Sequence, residues 1–202
     1  MQIGLLGGTF NPPHLGHLVC AQEAYRQLGL ERVLWIPASL PPHKPVDDDP
    51  GIEHRLALCR MAIEDDERFA VSDLEAHRDG LSYTVDTLEE LHSQMPDSEF
   101  FLIVGADVAA GFAEWREPDR VLKLATLAVA ERPGTTRAVV EQALRRLDGG
   151  ARSRFFDMPE IGVSSTMLRN RVRSGESTRY LMPGAVRGYI DEHRLYGGSS
   201  TR

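Results

Sequence analysis

Eleven residues near the amino end, Gly7-Gly8-Thr9-Phe10-Asn11-Pro12-Pro13-His14-Leu15-Gly16-His17, hold the densest chemistry in the chain. Two adjacent glycines let a backbone approach a phosphate closely. A helix opening near Leu15 offers N–H groups and a positive dipole end to an anion. His14 and His17 stand three apart, so both imidazoles fall on one side of the helix start. There they can donate N–H bonds to phosphoryl oxygens as charge builds. The segment lacks the G-x-G-x-x-G spacing of dinucleotide-binding loops. Two other readings stay open: a turn with two surface histidines, or a metal site. A zinc site needs further ligands, and outside this segment only His43 lies in a candidate site loop.

A second segment, Val163-Ser164-Ser165-Thr166-Met167-Leu168-Arg169, opens a helix that also carries Arg171 and Arg173. Ser or Thr at a helix start usually serves as a cap. The alternative is a second anion site built from N–H groups, hydroxyls and the planar fork of an arginine.

The elements that must position these residues follow from hydrophobic periodicity. Buried strands are expected at Gln2 to Leu6, Val33 to Ile36, Phe69 to Ser72, Phe100 to Val104, Thr126 to Ala130 and Phe155 to Met158. Helices are expected at Leu15 to Leu28, Ile52 to Ile63, Val85 to His92, Pro118 to Leu124, Val139 to Leu147, Ser165 to Arg173 and Pro183 to His193. Gly29 stands where a helix C-terminal cap belongs. This alternation implies an α/β fold, a doubly wound, Rossmann-like parallel sheet covered on both faces. One domain spans 1–196, its C-terminal helical part over 163–196, and the glycine- and serine-rich tail 197–202 is expected to be disordered. Ligands in such sheets bind beyond the carboxyl ends of the strands. The loops to watch are therefore Gly7 to His17, Pro37 to Pro50, Ser82 to Thr87, Gly105 to Trp115, and the stretch from Arg132 onward. The second of these holds Pro41, Pro42, Pro45, Pro50 and Asp47-Asp48-Asp49, and is too long for a minimal connection.

Composition narrows the classes further. The 202 residues carry 23 Lys+Arg against 30 Asp+Glu, a formal charge of −7, with 42% apolar and 26% charged residues. That is ordinary globular composition, enough to bury roughly 70% of the unfolded surface. The acidic balance argues against broad nucleic-acid binding, which needs a basic surface. It does not exclude a small anionic ligand in a local pocket. Cys20 and Cys59 are too few and too isolated for a disulfide framework or a Cys-based zinc site, and read as buried apolar residues. No apolar run approaches the roughly 20 residues of a membrane-spanning helix, and Met1 leads directly into Gln2-Ile3-Gly4-Leu5 without the features of a signal peptide. The cytoplasm is the expected compartment, with no membrane or nucleic-acid partner. Nothing here specifies oligomeric state, and a homodimer or higher homo-oligomer stays open.

The pattern G-G-T-F-x-P-x-H-x-G-H after the first strand, with a later S-S-T-x-L-R at a helix start, resembles the nucleotidyltransferase superfamily of adenylyl and cytidylyl transferases. The H-x-G-H is similar also to class I aminoacyl-tRNA synthetases, but 202 residues leave little room for their added domains and no K-M-S-K-S-like segment occurs. Further segments look like bacterial nicotinate-nucleotide adenylyltransferases: Pro41-Pro42-His43-Lys44, Ser82-Tyr83-Thr84-Val85-Asp86-Thr87, Gly105-Ala106-Asp107, Trp115-Arg116 and Tyr180-Leu181-Met182-Pro183. The resemblance runs from about Met1 to Tyr196. It departs mildly at Asn11, Ala106 and Val163, where that family more often has Asp, Gly and Ile.

The resemblance implies adenylyl transfer from ATP to nicotinate mononucleotide, giving nicotinate adenine dinucleotide and pyrophosphate in NAD biosynthesis. A phosphate nucleophile, with its second pKa of about 6, is already anionic at neutral pH and needs no general base. Catalysis then reduces to in-line positioning and charge dispersal. His14, His17, Lys44 and Arg169 are the implied catalytic residues. Gly7, Gly8, Thr9, Phe10, Gly105, Asp107, Ser164 and Ser165 join His14, His17 and Arg169 at ATP. The implied acceptor site is Thr9, Lys44, Thr84, Asp107, Trp115 and Arg132. Mg²⁺ would be held mainly by the ATP phosphates, with no protein metal site. Plainer readings stand beside these. Lys44 is also a solvated lysine, Trp115 a core residue, Thr84 an N-cap for a helix from Val85, Asp107 a cap and Asp86 a structural residue. A pantetheine-phosphate or nicotinamide mononucleotide adenylyltransferase, or a noncatalytic nucleotide-binding module, would carry much of the same pattern.

Overall fold

Six strands alternate with helices in the computed structural model, which describes residues 1–41, 47–131 and 134–197. They are β1 (Gln2–Gly8), β2 (Arg32–Pro37), β3 (Phe69–Val71), β4 (Glu99–Gly105), β5 (Ala125–Glu131) and β6 (Arg154–Asp157). All neighbours pair in parallel, in the order β3-β2-β1-β4-β5-β6. The chain winds outward from β1 through β2 to β3, then returns to β4 on the other side of β1. The strand order reverses there, and the carboxyl ends of β1 and β4 open a crevice between them.

The helices are α1 (Leu15–Leu28), α2 (Ile52–Ala62), α3 (Thr84–Gln94), α4 (Ala106–Ala110), α5 (Pro118–Leu124), α6 (Arg137–Leu144), α7 (Ser165–Arg173) and α8 (Gly184–Glu192). Strand alternation divides the core. Ile3, Leu5, Phe100, Leu102, Leu127 and Val129 face α3, α5 and α6 through Val85, Leu88, Leu91, Val121 and Val140. Leu6, Val33, Trp35, Ile103 and Ala128 face the other way, against Cys20, Ala21 and Ala24 of α1. Each fully buried leucine contributes about 1.5–3 kcal/mol relative to exposure. At Gly4 a Cβ would lie 2.7 Å from Leu30 Cδ1 and 3.0 Å from Ile103 Cδ1, so a larger residue would have to push these side chains aside. Gly29 caps α1 at φ 66°, the left-handed conformation glycine reaches without a Cβ clash. A third apolar cluster joins the C-terminal helices to α2, with Leu58 meeting Leu168, Met182, Val186 and Ile190.

The expected doubly wound sheet is present, and several boundaries move. β1 runs two residues further, to Gly8, because Gly7 and Gly8 continue the ladder opposite Ile36 and Pro37. α3 starts at Thr84 rather than Val85, and α6 spans Arg137–Leu144 rather than Val139 to Leu147. α4 was not expected from periodicity, because five residues are too short to show it. Cys20 and Cys59 are both buried, as expected of small apolar residues. Gly197, assigned to the tail, closes a final 3₁₀ turn with Leu195 and Tyr196, while 198–202 lie outside the described residues. Among the described residues no helix is long and apolar enough to cross a membrane.

Candidate active site

The amino end of α1 is capped by its own histidines. His14 occupies the N-cap position in an extended conformation, and its Nδ1 accepts the Gly16 N–H at 3.1 Å. His17 Nδ1 accepts the His14 N–H, also at 3.1 Å, which completes a reciprocal capping box. Both Nδ1 atoms are thereby acceptors, so each neutral ring carries its proton on Nε2. The rings lie 3.9 Å apart, and Phe10 packs on both His17 and Trp35 at 5.0 Å. Phe10 thus serves the core with its side chain, and only its backbone, at φ 48°, shapes the loop.

Arg55, an α2 residue to which no site role attaches from sequence alone, ties this loop to its neighbours. Its side chain is fully buried. Nη1 donates to Thr9 O at 3.1 Å and Ala38 O at 2.7 Å, Nη2 to Ser39 O at 3.1 Å, and Nε to Asp49 Oδ1 at 2.9 Å. One guanidinium therefore joins the end of the glycine loop, the exit from β2 and the acidic segment before α2. Its trace in the sequence is faint: an arginine four residues before Cys59 on the otherwise apolar side of a helix.

α7 brings the second motif to the same loop. Ser164 is the N-cap and accepts the Met167 N–H at 3.2 Å, so its capping role is realised. Ser165 Oγ donates to Pro12 O at 2.8 Å, and buried Arg169 donates from Nη1 to Asn11 O at 3.0 Å. Asn11 itself is buried, donating to Asp47 O and accepting the Tyr196 hydroxyl at 2.7 Å. Burial pushes the Tyr196 phenol up, so it stays protonated as that donor. Asp48 faces Arg173 at 2.8 Å and Arg169 at 3.4 Å. Its hydrogen bond from Arg173, reinforced by Arg169, holds its carboxyl below the ordinary value.

A cavity of about 370 Å³ lies across the ends of β1 and β4. Gly7, Gly8, Thr9 and His17 line it from the first loop, Thr84 from the start of α3, and Gly105, Asp107 and Trp115 from the β4 side. Tyr83, not Thr84, holds the N-cap position of α3, and no side chain caps that end. Thr84 is the first helical residue, which corrects the reading of it as a cap. Trp115 is half-buried, its ring 5.0 Å from that of Phe112, yet it still borders the cavity. Arg116 lies over the Tyr83 ring at 4.6 Å and 3.6 Å from Asp86, giving Asp86 its structural partner. Asp107 sits in the first turn of α4, where Gly105 occupies the N-cap position, so it does not cap that helix.

Residues 5–171 match the cytidylyltransferase-like family. This chain belongs to that family. Within it, a Salinibacter ruber protein named "Probable nicotinate-nucleotide adenylyltransferase" is 43% identical over 196 residues, covering 97% of this chain and 98% of the relative. A Synechococcus protein of the same name is 43% identical over 197 residues, covering 96% and 94%. Among solved structures, Plasmodium falciparum nicotinic acid mononucleotide adenylyltransferase superposes with TM-scores of 0.80 in its complex with APC and 0.81 in its complex with NaAD. Both comparisons cover 99% of each chain at 16% identity, so that likeness concerns the fold.

In this family member the described site residues divide between two places. Gly7, Gly8, Thr9, His17, Thr84, Gly105, Asp107 and Trp115 border one cavity, while Ser164, Ser165 and Arg169 stand behind the 9–14 loop and reach it through Asn11 and Pro12. His14 caps the helix between them. Lys44 and Arg132 lie outside the described residues. Glu75 borders the cavity too and was absent from the sequence reading. Among the described residues no three His, Cys, Asp or Glu side chains are arranged to hold a metal ion.

Proposed function

We propose that this chain transfers the adenylyl group of ATP to the 5′-phosphate of nicotinate mononucleotide, forming nicotinate adenine dinucleotide and releasing pyrophosphate, a step of NAD biosynthesis. The observation that carries this reading is a single cavity bordered by a histidine-capped helix start on one side and an uncapped helix start with a tryptophan on the other. The names of the relatives point the same way.

ATP enters with Mg²⁺ on its phosphates. The acceptor phosphate attacks the α-phosphorus, a new P–O bond forms there, and the bond to the β-phosphate oxygen breaks. His14 and His17 donate from Nε2 to the phosphoryl oxygens, and the Gly7 to Phe10 backbone cradles them. Ser164, Ser165 and Arg169 hold the leaving pyrophosphate, which means that triphosphate replaces Asp48 as the partner of Arg169. Gly105 and Asp107 take the ATP side, with Asp107 on a ribose hydroxyl. Lys44 and Arg132 complete the charge around the two substrates, and Thr9 serves both. The nicotinate carboxylate meets the N–H groups of α3 at Thr84, a favourable place for an anion. Its ring stacks on Trp115.

Pyrophosphate release with nicotinate mononucleotide, nicotinamide mononucleotide and phosphopantetheine, compared side by side, tests the assignment. The nicotinate compound should be the best acceptor. Phosphopantetheine as the best would sink the assignment, and ATP binding without release under any acceptor would mark a noncatalytic module. Trp115→Ala should raise KM for the pyridine acceptor about tenfold, the order expected for losing one aromatic stacking partner. An unchanged acceptor KM would remove Trp115 from the site.

A further inference from the structure

Glu75 is buried in the wall of the acceptor cavity and has no part in the phosphate chemistry. It is 8% exposed and shares the cavity with Ser82, Tyr83 and Thr84 at the start of α3. Its Oε1 accepts the Thr87 hydroxyl at 2.7 Å, and Thr87 Oγ1 accepts Arg78 Nη1 at 2.8 Å. Arg78 also pairs with Glu90 at 2.9 Å. Ser82 Oγ, also buried, makes no hydrogen bond of good geometry among the described residues, though it lies near enough to the Glu75 carboxyl to favour its charge. Two buried polar groups therefore border the end of the cavity where, on the function proposed above, the pyridine substituent rests. With Oε1 engaged, a proton on the neutral acid sits on Oε2.

We propose that Glu75 selects the substituent on the acceptor's pyridine ring, donating to a carboxylate when it is the neutral acid and accepting from a carboxamide N–H when it is ionised. The proposal rests on the adenylyl-transfer reading. Its chemistry is elementary: two carboxylates side by side repel, whereas a protonated carboxyl is a donor and a carboxamide brings two N–H groups of its own. Desolvation raises the Glu75 pKa, only partly offset by Thr87, Ser82 and Arg78, so the neutral acid persists to higher pH than for an exposed glutamate. Arg78 stands beside it and pairs with Glu90 of α3, while His17 of α1, Asp107 of α4 and Arg116, itself paired with Asp86 of α3, border the same cavity. His17 and the acceptor's own phosphate serve both acceptors alike, so they cancel in a ratio.

The test is the dissociation constant of nicotinate mononucleotide and of nicotinamide mononucleotide, measured by titration calorimetry on the whole protein across the pH range in which it stays folded. The preference for the acid should fall at least ~10-fold as pH rises and Glu75 ionises, since a tenfold change follows one unit of titration. In Glu75→Gln, whose amide donates and accepts at every pH, the ratio should be flat. Thr87→Val, close in shape, removes a hydrogen bond that favours the charged form and should move the midpoint of the fall to higher pH. It also keeps the proposal testable if the Gln variant fails to fold. A wild-type ratio independent of pH, the same slope in Glu75→Gln, or an unmoved midpoint in Thr87→Val overturns the selector alone. Failure to bind either acceptor overturns the adenylyl-transfer reading with it.

Discussion

Replacing His17 with alanine should lower turnover at least ~100-fold in a protein that still folds. A preorganised donor aimed at developing charge is worth about that much at the low end. His17 is well placed to be one, because its Nδ1 is committed to the His14 N–H and the neutral ring must then carry its proton on Nε2. The substitution also removes half of the capping box, a loss of about 1 kcal/mol that could be mistaken for the catalytic effect. His17→Asn separates the two. Its carbonyl can still accept the His14 N–H, so stability should recover, but its shorter side chain does not reach where the imidazole Nε2 does, so turnover should stay low. Pyrophosphate release and thermal melting on both variants give the answer, and full activity in folded His17→Ala would remove the histidine from the mechanism.

Arg55→Met should be the most destabilising single change near the site. The guanidinium is buried, and its loss strands the carbonyls of Thr9, Ala38 and Ser39 together with the Asp49 carboxylate. Breaking such a buried group costs about 3–5 kcal/mol. Asp49 keeps partial access to water, so the low end is expected. In a chain of this size that lowers Tm by about 6–12 °C. KM for ATP should rise too, since the end of the glycine loop loses its tether. A fall in Tm of under about 3 °C would show that the loop carbonyls find water instead.

The described residues of the cleft carry charges of both signs. Among the described residues the cavity carries Glu75 and Asp107 beside His17 and Arg116, and Arg169 already faces Asp48. On the proposed function, substrate phosphate would therefore exchange with a carboxylate at Arg169 instead of meeting a bare cation. That exchange softens the desolvation cost of holding a buried arginine ready.

Much of this was legible in the residues in order. Strand and helix alternation follows from local hydrophobic periods, and the side on which a residue lies is set by repeats of two and 3.6. His14 and His17 were readable as neighbours because three residues along a helix is a local distance. Arg55, Glu75 and Asp48 were not. Arg55 acts on Thr9, 46 residues away, and Arg169 on Asn11, 158 away. No periodicity encodes such partners. Thr84 illustrates the boundary between the two. Its position near a helix start is local, but the absence of a side-chain cap, and the cavity that makes this useful, depend on what β1, β4 and the Trp115 loop bring alongside. The sequence alone determined the sheet, its loops and the two motifs at helix starts, because short-range sterics and the burial of apolar faces decide them. The tertiary structure decided which buried charges face one another, because a buried charge takes its character from partners that only the folded chain brings within a few ångströms.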